Sequence, residues 1–101
     1  MTKQEYLLIC LCEELAEMQQ EISKCLRFSP SDKHPDRAMS NIEYLNDEAA
    51  DVEAVIEMLR ETGFYLQPSQ ERRLAKRNRV LKYMEDSIRV GVLDDNSDNR
   101  R

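Results

Sequence analysis

The chain has 101 residues, enough for one domain with one modest core. Two Gly, three Pro and no Trp, among 41% apolar and 35% charged residues, favour helices over sheets. A net charge of −5 argues against nucleic acid as the partner, and no apolar run is long enough to cross a bilayer or serve as a signal peptide.

The first predicted helix runs from Thr2 to Leu26, opened by the capping-box spacing of Thr2 and Glu5. Its apolar stripe is Leu8, Leu11, Leu15, Met18, Ile22 and Leu26, at steps of three and four. Cys10, Cys12 and Cys25 have no CxxC spacing and read as reduced thiols of a cytoplasmic protein. The stretch "RFSPSDKHPDRAMS" has two prolines and no period, and reads as a loop. A second capping box, Ser40 and Glu43, opens the second helix, with the stripe Leu45, Ala49, Val52, Ile56 and Leu59 and a stop at Gly63. After the connector "FYLQPS", a third helix spans Ser69 to Val90, with Leu74, Leu81, Met84 and Ile88 on one side and many Arg and Lys on the other. The expected fold class is therefore all-α: a bundle of three main helices per chain, with residues 1–92 as the domain and 93–101 as a polar, frayed tail. A chain this small often completes a four-helix core by dimerising.

Acids stand where such helices pack. On a wheel at about 100° per residue, Glu48 falls within the second stripe beside Leu45 and Val52, and Asp51 lies on its flank. On the first helix Glu14, Glu17 and Glu21 follow the flank of the stripe. A buried carboxylate without a partner costs several kcal/mol or stays protonated. A neighbouring Arg or Lys could compensate, and so could a cation shared by several carboxylates. Oxygen-only ligands favour a hard ion, Mg²⁺ first and Mn²⁺ or Ca²⁺ next. The Glu-x-x-His pairs of a di-iron bundle are missing, because the one histidine, His34, is in the loop.

"EELAE" at Glu13 to Glu17, followed by "EAAD" at Glu48 to Asp51, resembles the E-E-x-x-E … E-x-x-D pattern of the MazG-like all-α nucleoside triphosphate pyrophosphohydrolases. "ISKCLRF", the loop with "HP" and "SN", "DEAADVEAVIEML" and "KRNRVLKYMEDS" are similar to the small phage and bacterial members, so the resemblance covers roughly residues 5–90. The 30 residues between Glu17 and Glu48 are at the long end for the family, and Ala49–Ala50 replaces bulkier residues. The resemblance implies Mg²⁺-dependent cleavage of a (d)NTP between the α and β phosphates, giving (d)NMP and pyrophosphate. It also implies a homodimer or homotetramer. Carried over, Glu14, Glu17, Glu48 and Asp51 would hold Mg²⁺, and Glu13 would join them in catalysis. A phage-encoded member would work in the host cytoplasm.

That chemistry also requires cations, because expelled pyrophosphate carries charge to be stabilised. Lys24, Arg27, Lys76, Arg79, Lys82 and Tyr83 are the candidate phosphate- or nucleotide-binding residues, with Arg77 and Asn78 as alternatives. His34 could touch a base or phosphate, and Phe28, Tyr44, Phe64 or Tyr65 could wall a base. A solvated basic face and a core or interface aromatic are the plain structural readings of the same residues. Two other readings compete with the enzyme. One is a non-enzymatic helical module that binds a nucleotide or partner. The other is a dimerisation bundle whose acids pair with arginines.

Overall fold

In the computed structural model, which describes residues 1–95, the chain is all-α, and no strand occurs among the described residues. Helix α1 is Lys3–Phe28, α2 is Asn41–Glu61 and α3 is Gln70–Arg89. Each starts at the hydroxyl residue expected from the sequence. Thr2 accepts the Glu5 N–H at 3.1 Å, Ser40 that of Glu43 at 3.4 Å, and Ser69 that of Arg72 at 2.9 Å. The stop at Gly63 is a Schellman turn. Gly63 takes a positive φ of 87°, its N–H donates to the Arg60 carbonyl, and the Phe64 N–H donates to the Leu59 carbonyl. Residues 96–101, most of the predicted tail, lie outside the described residues.

The described chain forms two compact units, Met1–Leu66 and the segment that begins at Gln67. In the first, α1 packs against α2. The Gln4 side-chain amide donates to the Thr62 carbonyl, joining the start of α1 to the end of α2. Asn41, at the start of α2, donates to the Ser29 carbonyl at the end of α1. The two helices therefore run antiparallel. Their shared seam follows alternating steps of four and three on both sides. On α1 it passes through Leu7, Leu11, Glu14, Met18, Glu21 and Cys25, and on α2 through Asn41, Leu45, Glu48, Val52, Val55 and Leu59, all buried or half-buried. Leu59 is fully buried.

This seam corrects the predicted α1 stripe. Leu11 and Met18 are on it, but Leu15, Ile22 and Leu26 are exposed, Leu26 by 70%. A wheel centred on apolar residues alone rotates the helix toward them. Glu14 and Glu21 occupy seam positions instead, Glu21 with cationic partners and Glu14 opposite Glu48. The second unit is helix α3 with its flanks, and none of the α3 residues is buried. No described helix is long and apolar enough to cross a membrane, and all three cysteines are free.

Candidate metal centre

The α1–α2 seam is apolar at Leu7, Leu11, Val52 and Leu59. Beyond these levels, toward the loop that joins the two helices, Glu14 and Glu17, one turn apart on α1, meet Glu48 of α2. One carboxylate oxygen from each of the three lies within 4.8 Å of the other two. Glu14 Oε2 and Glu48 Oε2 are buried and have no hydrogen-bond partner among the described residues. Burial, the neighbouring Glu14 carboxylate and the charge of Glu17 push the Glu48 pKa up to about 7. Burial also raises Glu14. Glu48 opposes that shift, and the charges of Glu17 and Asp51 add to it. Such an arrangement either holds a proton or takes a cation. Oxygen-only donors on two rigid helices suit a hard divalent ion, so the residues present fit Mg²⁺ or Mn²⁺.

Asp51 is exposed and outside this group of three, although its charge reaches Glu14. Glu13 is also exposed and outside it. Sequence reasoning placed Glu14 on the flank, whereas the structure sets it in the seam opposite Glu48.

One turn beyond Glu17 is a second acid that sequence reasoning left unpaired. Glu21 is buried, and Arg37 of the proline loop grips it with two bonds, Nη1 to Oε2 at 3.1 Å and Nη2 to Oε1 at 3.0 Å. Lys24 Nζ adds a contact to Oε1 at 3.4 Å. Burial pushes the Glu21 pKa up, but Arg37 and Lys24 outweigh it and hold the carboxyl below its usual range. Arg37 also lies over the Tyr44 ring at 3.6 Å, and the Tyr44 hydroxyl accepts the Ala38 N–H. The seven-residue step from Glu14 to Glu21 was the available signal, since residues seven apart share a seam.

The candidate phosphate-binding residues divide between the two units. Lys24 is committed to Glu21, and Arg27 lies over the Phe28 ring at 4.9 Å. Lys24, His34 and Arg37 help line a cavity of about 340 Å³ at the loop end of α1, whose walls include Phe28 and Pro35. Lys76, Arg79, Lys82 and Tyr83, with Arg77 and Asn78, are exposed on α3 in the second unit. Of the other aromatics, Tyr44 serves as the platform for Arg37, Phe64 is half-buried and Tyr65 is exposed. No family model, no curated protein and no solved structure matches the chain.

Proposed function

We propose that the chain is a Mg²⁺-dependent nucleotide pyrophosphohydrolase of the MazG-like type. It would cleave a (d)NTP between the α and β phosphates. The observation that carries this reading is the pair of partnerless buried oxygens, Glu14 Oε2 and Glu48 Oε2, with Glu17 beside them. They stand at the positions of the E-E-x-x-E and E-x-x-D motifs that the sequence resembles. Solvated or salt-bridged acids would leave no such pair.

In this reading Glu14, Glu17 and Glu48 hold Mg²⁺, with Mn²⁺ as a substitute, and Asp51 joins them from the next turn of α2. The ion supplies positive charge for an anionic triphosphate and Lewis acidity toward its oxygens. Glu48 must give up its proton to bind it, so affinity rises as pH passes through about 7 and levels off above it. Glu13, exposed beside the cluster, is free to orient an attacking water or take its proton. With Lys24 held by Glu21, the cation of the same unit left to help departing pyrophosphate is the exposed Arg27. The reading includes a cytoplasmic homodimer or homotetramer that covers exposed apolar residues such as Leu15 and Ile22.

The test is pyrophosphate release from the canonical NTPs and dNTPs, with Mg²⁺ and with EDTA. Release that needs Mg²⁺ and is lost in Glu48→Gln supports the assignment. Silence across canonical and modified nucleotides, with no thermal response to Mg²⁺, overturns it.

A further inference from the structure

Helix α3 sorts its side chains onto opposite faces. At about 100° per residue, Leu74, Leu81 and Ile88 share one side. On the other, Arg72, Lys76, Arg79 and Tyr83 fall within about 30° of a single line along the helix. Between Gln70 and Tyr83 there are six Lys or Arg residues and one Glu. None of the six pairs with an acid among the described residues. Tyr83 is 60% exposed at the end of this line. A groove of about 440 Å³ runs along its first half, lined by Pro68, Ser69, Arg72, Arg73, Lys76 and Arg79.

We propose that this face of α3 binds single-stranded nucleic acid, with Arg72, Lys76 and Arg79 on successive phosphates and Tyr83 stacked on a base. The chain's net charge of −5 conceals the site, because the acids concentrate in residues 1–66 while this stretch of α3 is basic. Arg72 and Lys76 are about 6 Å apart along the axis, Arg79 follows after about 4.5 Å, and Tyr83 after a further 6 Å or so. A row of cations suits a strand, whereas a lone triphosphate needs cations that converge. The exposed ring on the same line adds the stacking surface with which non-specific single-strand binders hold bases. A bilayer fits less well. Inserting the face of Leu74 and Leu81 would leave the Tyr83 ring, on the opposite side of the helix, without a role.

The experiment uses the full chain in EDTA, which removes any dependence on the carboxylate cluster. A labelled oligonucleotide of about 16 nucleotides is titrated by fluorescence anisotropy from about 50 to about 200 mM salt. The expected result is binding whose logarithm falls with log salt at a slope of about −2, as three phosphate contacts require. Lys76→Ala makes that slope shallower by about 0.7. Tyr83→Leu weakens binding about tenfold at unchanged slope. Circular dichroism confirms that each variant keeps its helices.

Several results overturn the proposal. These are no binding at the lowest salt, or ATP competing as well as the oligonucleotide does. So are binding only to vesicles that contain anionic lipid, or salt-sensitive self-association in place of oligonucleotide binding. Oligonucleotide binding by a wild-type chain that releases no pyrophosphate supports this site and counts only against the enzymatic reading.

Discussion

Glu14 and Glu48 face each other across the α1–α2 seam, and each buries an Oε2 that meets no hydrogen-bond donor among the described residues. Two apolar side chains of similar size would fill the same space without a desolvation cost. The pair therefore weakens the ion-free fold. Replacing Glu48 with Gln removes one charge and adds an amide that can donate to Glu14. We expect Glu48→Gln to raise the melting temperature of the metal-free protein at pH 8 while removing its response to Mg²⁺. A lower melting temperature in EDTA would show that the seam does not need relief from charge.

The same pair sets the direction of the pH dependence. Glu48 keeps its proton in the folded chain up to about pH 7, whereas an unfolded chain releases it near 4.3. Between those values the folded state binds more protons, so metal-free stability falls as pH rises through this window. Thermal melts in EDTA from pH 5 to pH 8 should show that fall in the wild type and a flatter profile in Glu48→Gln. Saturating Mg²⁺ should reverse the wild-type slope, because the ion competes with the proton for the same oxygens.

The Glu21–Arg37 pair works in the opposite direction. Its carboxyl is held below the usual range, so its stabilisation is complete above the unfolded value and is lost as pH falls through the lowered one. With both side chains mostly buried, removing one partner leaves a charge without its counter-ion. Glu21→Gln should cost about 3 kcal/mol at neutral pH. Its melting profile should also lose the acid limb that the wild type shows below about pH 4.5. Equal acid limbs in the two proteins would show that the bidentate contact contributes nothing in solution.

The helices, their caps and the Gly63 stop were legible because hydroxyl residues, a capping Glu and a positive-φ glycine act locally. Glu48 was legible as an acid within an apolar stripe. Glu14 was misplaced because a wheel centred on leucines gives polar residues no weight, and the seam includes it by spacing rather than by hydropathy. The Glu21–Arg37 clamp was hidden for a different reason. It joins α1 to a loop with no period, and nothing local marks Arg37 as the partner. The basic face of α3 was legible in its spacing, but the net charge of the whole chain argued against nucleic acid as its partner.

Ser29 ends α1 with φ 86° and ψ 151°, a region that side chains rarely enter and glycine occupies freely. Pro30 follows and requires an extended ψ, while the buried Asn41 side chain holds the Ser29 carbonyl at 2.9 Å. The chain is thus fixed at both sides of a strained residue where it turns from α1 into the loop that presents Arg37. Backbone strain of this kind costs about 1–3 kcal/mol. Glycine would relieve it and lose about 0.4–1 kcal/mol to the greater freedom of the unfolded chain. Ser29→Gly should therefore stabilise the fold by about 1 kcal/mol and raise its melting temperature by about 5 °C. Ser29→Ala keeps the Cβ and should give no such gain. If the two variants melted together, the side chain would not be the source of the strain, and the Asn41 contact alone would account for the turn.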